Sequence, residues 1–314
     1  MKKRILIFVG AVCALFAGIA LIGCSNVCGG SSANVLRMNV GSFNILGGNP
    51  KDAASRERAE IGAEIVRARD WDIFGTQEVG TWQKPVYLGK DGRFGVVGRP
   101  CCTREEDAKA WETWGNYIFY KKSRFEVLDS GHFWLSQTPD RASKGWTEKQ
   151  YRICNWGKFR DKKSGREFFF FTLHQGLTAD ARLEMAKLAR AKVLEIAGAN
   201  AAVIITGDFN ATRGEDSIAA IEDGGLLTNS EKLSKTPPTG ENGTYVEANW
   251  NRALCDSADP ATLKLDYIFV SKPVEVLSCG VLADNRNGHY PSDHRPIMAF
   301  VEIGNYFLIG EDIY

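Results

Sequence analysis

The sequence predicts an α+β fold in which mixed β-sheets are covered by helices, and two observations carry that prediction. Strand-like apolar segments recur along the whole chain, together with two strongly amphipathic helical segments. Several strand-like segments also end on polar residues, as where Ala202–Thr206 runs into Gly207-Asp208-Phe209-Asn210. Such strand ends are common places for functional groups, because the strands are rigid and the loops that follow can reach a ligand.

The amino-terminal part of this domain predicts a strand, a helix and a second strand in that order. Apolar and polar residues alternate over 36–44, which is typical of a half-buried strand. Asp52 is placed to cap a helix whose apolar residues recur at helical spacing. A second strand is expected over 73–79, whereas residues 80–115 contain many glycines and prolines and are expected to be loop.

The remaining elements are expected on both sides of the clearest helix in the chain. That helix follows Thr178, has a single apolar stripe and ends at Gly198. Before it we expect two antiparallel strand pairs, at 117–121 with 124–128 and at 152–160 with 167–173. After it we expect a strand at 202–206, a short helix near 217–223, a strand over 265–270 and a last strand near 297–303.

The first residues have the pattern of a bacterial export signal. Basic residues precede an apolar run that ends in Leu21-Ile22-Gly23-Cys24, which resembles a lipobox. The expected divisions are a signal peptide over 1–23, a linker over 24–34 lipidated on Cys24, and one domain over 35–314. A transmembrane anchor is the alternative. The lipidated form would be exported and anchored to the bacterial cell envelope.

Charge and cysteine content argue against two classes of function. The formal net charge is +1, and because the first 23 residues carry three basic and no acidic groups, their removal changes it to −2. Proteins that bind nucleic acid through many phosphate contacts carry an excess of basic residues, so strong binding to nucleic acid through such contacts is not expected. Cys101 and Cys102 are adjacent and the chain has no CxxC pair, which argues against a zinc site.

Six short motifs stand in a characteristic order: Ser42-Phe43-Asn44, Thr76-Gln77-Glu78, Thr172-Leu173-His174, Gly207-Asp208-Phe209-Asn210, Leu265-Asp266-Tyr267 and Ser292-Asp293-His294. In this order they resemble the endonuclease/exonuclease/phosphatase superfamily, which includes deoxyribonuclease I-like enzymes, bacterial sphingomyelinases and inositol polyphosphate 5-phosphatases. The resemblance implies a four-layered α/β/β/α sandwich with two packed mixed β-sheets. It also implies hydrolysis of a phosphoester that depends on a divalent metal.

The resemblance assigns the metal to Glu78, with Asn44 beside it to assist the metal or the scissile phosphate. Mg²⁺ is the expected ion, since it binds through one or two carboxylates together with waters and substrate phosphate, and Mn²⁺ or Ca²⁺ are alternatives.

The resemblance also assigns the groups that would act on water and phosphate. Asp208 would take the proton from the attacking water, and Asn210 would orient that water or a phosphate oxygen. His294 would contact the phosphoryl oxygens with Asp266 holding its ring, and His174 would face the phosphate from the other side.

Three further assignments leave alternatives open. The carboxylate that orients His294 is either Asp266 or the adjacent Asp293; the motif match favours Asp266 and leaves Asp293 associated with the metal. Arg152 matches a strand position where several bacterial relatives have arginine, and a guanidinium suits phosphate, but a surface arginine paired with an acid is equally consistent. Three tryptophans are expected to pack within loops, with a substrate rim as the alternative: Trp82, Trp111 and Trp114.

The sequence differs from the family pattern at two places. Gln175-Gly176-Leu177 stands where many relatives have Leu-Asp-His, and Leu46 stands where some have an aspartate. The sequence favours a nuclease-like phosphodiesterase, with a phosphomonoesterase or a phospholipid or sphingomyelin phosphodiesterase as alternatives. A non-catalytic binding lipoprotein is the alternative from another class. The expected partners are a phosphoester (nucleic acid, phospholipid headgroup or small phosphate ester) and the membrane through Cys24, with no protein partner.

Overall fold

The computed structural model describes residues 35–102, 114–240, 242–246 and 263–304. The expected signal peptide, the linker with Cys24 and Trp111 lie outside the described residues, so these assignments stay predictions. Among the helices in the described ranges, none is both long and apolar enough to span a bilayer.

The described residues form thirteen strands and five α-helices. The strands are β1 (Leu36–Asn44), β2 (Ile73–Val79), β3 (Phe94–Pro100), β4 (Gly115–Lys121), β5 (Phe125–Trp134), β6 (Ile153–Asp161), β7 (Glu167–His174), β8 (Val203–Asp208), β9 (Thr228–Asn229), β10 (Thr239–Gly240), β11 (Asp266–Val270), β12 (Glu275–Val281) and β13 (Ile297–Ile303). The helices are α1 (Ala53–Ala68), α2 (Lys84–Leu88), α3 (Ala179–Ala197), α4 (Asp216–Glu222) and α5 (Ser230–Leu233).

Two mixed sheets carry the fold. In the described residues, sheet A has the strand order β10-β12-β13-β1-β2-β4-β3 and sheet B the order β5-β6-β7-β8-β11-β9. Each sheet contains a parallel pair that is joined through a helix: β1 and β2 through α1, and β7 and β8 through α3. These two crossovers bring the carboxyl ends of four strands to the regions where the predicted site residues stand.

Three apolar clusters fill the spaces between the layers. Phe170 and its neighbour Phe171 on β7 point to opposite faces of sheet B, as successive strand residues must. Phe170 belongs to the cluster shared by both sheets, whereas Phe171 packs in a second cluster with residues of α3. A third cluster joins Phe74 of β2 to Ile65 of α1. Helix, sheet, sheet and helix therefore stack in this order, which confirms the predicted α/β/β/α sandwich.

The ends of the two long helices agree with the sequence prediction. Asp52 caps α1, since its carboxylate accepts a hydrogen bond from the Ser55 amide at 2.9 Å. Helix α3 ends at Gly198, whose φ of +81° is a conformation that glycine adopts without strain.

The prediction that residues 80–115 form only loop is wrong. This range contains α2 and β3, and β3 pairs along its length with β4 at the edge of sheet A. Its sequence, Phe94–Pro100, includes two glycines and a proline, which locally indicate a turn. Strand β12 was missed for a related reason, because Glu275–Val281 has no clear alternation and is held by its pairing with β13.

The predicted antiparallel pairing of 117–121 with 124–128 is also wrong, whereas the pairing of 152–160 with 167–173 is confirmed. The chain passes from β4 in sheet A to β5 in sheet B through a short turn. Arg124 in this turn forms ion pairs with Asp72 at 2.6 Å and with Asp161 at 3.3 Å. Its guanidinium thus connects the start of β2 with the end of β6, so the turn bridges the sheets instead of closing a hairpin.

We predict that Gly75→Ala destabilises the fold. A Cβ atom on Gly75 would lie 2.0 Å from Oγ1 of Thr206 and 2.5 Å from Oγ1 of Thr172, so the two sheets would have to separate locally. The expected loss in the free energy of unfolding is about 1–3 kcal/mol, measured by urea denaturation. The matched control is Gly214→Ala, because an exposed Cβ there meets no atom within 4 Å. Equal stability of the two variants would contradict close packing at Gly75.

Candidate active site

Strand register places three of the predicted site residues side by side on sheet B. His174 at the end of β7 is paired with Asp208 at the end of β8, and Asp208 is paired with Asp266 at the start of β11. Their exposed fractions are only 7%, 1% and 0%, respectively. Because β11 runs antiparallel to β8, its first residue reaches the same edge of the sheet as the last residues of β7 and β8.

Asn44 connects this edge to sheet A. Its Nδ2 donates hydrogen bonds to Asp208 Oδ2 at 3.0 Å and to Glu78 Oε1 at 3.2 Å, while its Oδ1 accepts one from the Leu46 amide at 3.1 Å. One amide group thus holds two carboxylates from different sheets. Asn44 presents hydrogen-bond donors to these carboxylates, and its predicted role at a metal stays a prediction.

Glu78 has an unusual backbone conformation. Its φ is +59°, and the pairing of β2 with β4 shifts register between Thr76 and Val79, which marks an irregularity of the β-bulge type. A non-glycine residue with positive φ is rare in a strand, and such strain is concentrated at functional sites. Burial and the nearby negative charge of Asp293 raise the pKa of Glu78. The bulge therefore directs a carboxylate into a place where its charge is costly unless a cation neutralises it.

The electrostatics of Asp208 suit a proton acceptor. Burial raises its pKa to about 7, against the opposing effects of His294 and of hydrogen bonds from Asn44 and the Asn210 amide. A carboxyl group with a pKa near neutrality can accept a proton at neutral pH more readily than an ordinary aspartate.

His294 is held by Asp266, which answers the question that the sequence left open. Its Nδ1 lies 2.8 Å from Asp266 Oδ2, and its Nε2 lies 3.6 Å from Asp208 Oδ2. Burial alone would lower the pKa of His294, but these two carboxylates more than offset burial and raise it well above the ordinary value. The ring is therefore charged at neutral pH. Asp293 instead accepts a hydrogen bond from Ser292 Oγ at 3.1 Å.

His174 is the electrostatic opposite of His294. Burial, followed by the positive charges of Arg152 and His294, lowers its pKa well below the ordinary value, so its ring is neutral. Its Nε2 lies 3.3 Å from Asp208 Oδ2. One neutral and one charged imidazole thus flank the same carboxylate, and each can donate a hydrogen bond.

Asn210 is engaged with the loop that follows β7. Its φ is +49°, its amide donates to Asp208 Oδ1 at 2.9 Å, and its Nδ2 donates to the Gln175 carbonyl at 2.9 Å. Asn210 therefore joins Asp208 to the segment directly after His174. Its predicted action on water or a phosphate oxygen stays a prediction.

A pocket of about 350 Å³ opens beside this cluster. Arg152 lines it and is only 6% exposed, and its Nε has no hydrogen-bond partner among the described residues. The alternative of a solvent-exposed arginine is therefore wrong. The lining residues are Glu78, Cys101, Trp114, Asn116, Gln150, Tyr151, Arg152 and His174.

The tryptophans differ in their positions. Trp82 packs within a loop, as expected, and its Nε1 donates to the Gly48 carbonyl at 2.8 Å. Trp114 both packs and lines the pocket: a Cβ on Gly47 would lie 2.3 Å from its ring, so the indole rests directly on that backbone. Trp114 therefore packs as expected, and its alternative role at a substrate rim stays a prediction.

Sequence reasoning missed four residues of the lining: Cys101, Asn116, Gln150 and Tyr151. Gln150 and Tyr151 lie in a segment without regular structure, where their only signal was nearness to Arg152. Cys101 is not suited to be a nucleophile, because burial raises the pKa of its thiol to about 12.

Two acidic groups of the described residues are candidates for binding a divalent cation. Ligand atoms of Asp208, Asp266 and His294 all lie within 4.8 Å of one another, so this cluster could hold a metal ion. Its histidine, however, is already bonded to Asp266 and positively charged. Glu78 and Asp293 repel each other electrostatically, and a hard cation near both would remove that repulsion. The assignment of the metal to Glu78 and the choice of magnesium stay predictions.

We predict that Asp266→Asn lowers the pKa of His294. The substitution keeps an oxygen near Nδ1 but removes a negative charge, so the pKa should fall by about one or more. A pH titration of the histidine ring signals by NMR measures this change. Asp284→Asn is the control, since Asp284 pairs with Arg69 on the surface. An unchanged pKa would mean that Asp266 does not set the charge of His294.

Comparisons with known proteins agree with this fold. The model of the endonuclease/exonuclease/phosphatase family matches residues 41–294. An endonuclease/exonuclease/phosphatase family protein from Bacteroides thetaiotaomicron is 31% identical, with 86% of this chain and 99% of that chain covered and a TM-score of 0.74. A mannosyl-6-phosphatase from the same organism is 33% identical, with coverages of 84% and 99% and a TM-score of 0.72.

More distant structures share the fold alone. The human nocturnin catalytic domain, solved with a bound sulfate anion, is 20% identical, with 86% of this chain and 94% of that chain covered and a TM-score of 0.63. No curated protein matches the chain significantly in sequence. The family match covers most of the chain and contains the whole buried cluster, so this chain belongs to the endonuclease/exonuclease/phosphatase family.

Proposed function

We infer that this protein is a divalent-metal-dependent phosphoester hydrolase that acts on a small phosphate monoester. One observation carries the proposal: Glu78 and the buried Arg152 line one pocket, and His174 connects that pocket to Asp208. Such hydrolysis requires a carboxylate to bind the metal cation, a guanidinium to bind the phosphate anion, and a base with a raised pKa to accept a proton from water.

Phosphate recognition is assigned to the cationic and hydrogen-bonding groups. The Arg152 guanidinium is buried and can bind two phosphate oxygens at once, which suits a planar fork of donors. His294 is charged and would stabilise negative charge as it develops on the phosphoryl oxygens. The neutral ring of His174 adds a donor on the pocket side of Asp208.

Activation of water is assigned to Asp208. Its raised pKa favours acceptance of a proton, and the hydrogen bonds from Asn44 and from the Asn210 amide fix the orientation of the carboxylate. The neighbouring charge of His294 would stabilise the ionised form before the reaction.

The metal is assigned to Glu78, with Asp293 nearby, and magnesium is the preferred ion. When bound, such an ion would neutralise negative charge on the phosphate and would favour loss of a proton from the attacking water. Asn44 contributes by holding the Glu78 carboxylate through its Nδ2.

The size and charge of the pocket favour a small substrate. About 350 Å³ is near the lower end of ligand-pocket volumes and suits a phosphorylated monosaccharide. Among the described lining residues Arg152 is the one permanent cation, which suits a single phosphate group. A nuclease would need a cationic groove along several phosphates. The 33% identity to a mannosyl-6-phosphatase supports a sugar phosphate over the nuclease-like diester that the sequence favoured.

We predict that Asp208→Asn abolishes hydrolysis of mannose 6-phosphate and p-nitrophenyl phosphate in the presence of Mg²⁺. Loss of the base should lower kcat by at least about 100-fold, measured as phosphate release. Asp216→Asn, an exposed substitution in the first turn of α4, is the control. Faster turnover of bis-p-nitrophenyl phosphate than of either monoester would support the diesterase instead. No turnover by the wild type on any of these esters would favour a binding protein.

We predict that Glu78→Gln raises the Mg²⁺ concentration needed for half-maximal activity. The substitution keeps the shape of the side chain but removes its charge, so affinity for the ion should fall while substrate binding through Arg152 persists. Magnesium titrations after treatment with EDTA measure the effect. If Asp266→Asn raises the magnesium requirement and Glu78→Gln leaves it unchanged, the metal belongs to the Asp208 cluster instead.

A further inference from the structure

Two separate segments without regular structure adjoin the pocket, one at Arg152 and the other at His174. The first leads into β6 and contributes Gln150, Tyr151 and Arg152 to the lining. The second follows His174 at the end of β7 and contains Gln175-Gly176-Leu177. Sheet B fixes Arg152 and His174 themselves, because the Arg152 carbonyl accepts a hydrogen bond from the Leu135 amide at 2.8 Å and His174 pairs with Asp208. Gln150, Tyr151 and Leu177 lie beyond these strands, so other contacts must determine how the two segments face each other.

Glu148 connects the two segments directly. Its Oε2 accepts a hydrogen bond from the Leu177 amide at 2.6 Å, and its Oε1 accepts one from the Gln150 amide at 2.9 Å. The residue is only 6% exposed. Hydrogen bonds to an ionised carboxylate are stronger than neutral ones, and loss of the acceptor would leave two amides without this partner. One side chain therefore connects the backbones of both segments.

Gly176 makes this contact possible. A Cβ at position 176 would lie 2.4 Å from Glu148 Oε2 and 3.2 Å from its Cδ, so any larger residue would displace the carboxylate. The backbone of Gly176 does not adopt positive φ, which means that the requirement for glycine comes from the approach of Glu148 alone. This is also the place where the chain differs from the common family motif.

A second contact holds the beginning of the first segment. Thr147 Oγ1 lies 2.7 Å from Asp180 Oδ1 and 2.6 Å from Thr178 Oγ1, at the start of α3. Thr147 therefore anchors the segment on the helix side, whereas Glu148 determines the position of the residues that continue into the pocket.

We propose that Glu148 and Gly176 form a latch, a contact that fixes Gln150 and Tyr151 relative to the segment after His174 and so determines affinity for the phosphate ester. Glu148 is a positioning residue, since it acts through the backbone of the pocket wall and lies outside the lining itself. The inference rests on the proposed function for its kinetic consequence, but the latch itself can be tested without turnover.

The test is a double-mutant cycle with Glu148→Ala, Gly176→Ala and both together. Each single variant should raise KM for mannose 6-phosphate about tenfold, equal to about 1.4 kcal/mol, with a smaller change in kcat. The double variant should be no worse than Glu148→Ala, because alanine at 176 no longer meets a carboxylate. Additive effects, or a loss confined to kcat, would overturn the latch.

Two further variants separate positioning from general stability. Glu148→Gln keeps one acceptor for one of the two amides, so its KM should lie between those of the wild type and Glu148→Ala. Glu184→Ala removes an exposed carboxylate of α3 that pairs with Lys187, and its KM should not change. A KM for Glu148→Gln equal to that of Glu148→Ala, or a KM rise in Glu184→Ala, would contradict positioning by Glu148.

Hydrogen exchange tests the latch independently of activity. In Glu148→Ala, the amides of Gln150 and Leu177 should exchange faster together, while the amide of Asn210, bonded to Asp208, should be unaffected. Unchanged exchange at either Gln150 or Leu177 would overturn the latch even in an active enzyme. Absence of turnover in the wild type would instead overturn the proposed function, and faster exchange at both amides would then still support the latch.

Discussion

The buried carboxylate of Asp208 is the group on which the geometry of the site depends. At 1% exposure it cannot rely on water, so it must be satisfied by hydrogen bonds or nearby positive charge. Asn44 supplies a donor from sheet A and Asn210 supplies its backbone amide. His294 adds positive charge from the loop before β13. These groups reach one carboxylate only if the two sheets keep their spacing. Close packing between the sheets is therefore what holds the site residues in place.

The environment of Asp208 also gives two histidines different charges. His294 gains its charge because Asp266 and Asp208 outweigh the effect of burial. His174 remains neutral because burial acts together with the positive charges of Arg152 and His294. One cluster therefore contains a charged donor, a neutral donor and a base of raised pKa. Enzymes accelerate phosphoryl transfer mainly by positioning the reactants and by stabilising developing charge, and these three groups are suited to both.

The pocket is built differently from the cluster beside it. Strand register sets His174, Asp208 and Asp266, whereas Gln150 and Tyr151 of the pocket wall precede β6 and adjoin the contacts from Glu148 to the Gln150 and Leu177 amides. Register is set by many backbone bonds and is hard to change by one substitution. A segment held through one carboxylate is easier to alter. Chemistry and substrate choice can therefore vary separately, which agrees with the variety of substrates among relatives on this fold.

The sequence by itself determined the elements whose signals are local. Alternation predicted β1, the capping position of Asp52 and helical spacing predicted α1, and polar strand ends predicted which residues meet at the site. Only the tertiary structure decided that β4 and β5 belong to different sheets, that Asp266 contacts His294, and that Trp114 lines the pocket. The physical reason is range: periodicity and capping depend on near neighbours in the chain, whereas partner choice, burial and charge depend on groups that only folding brings together.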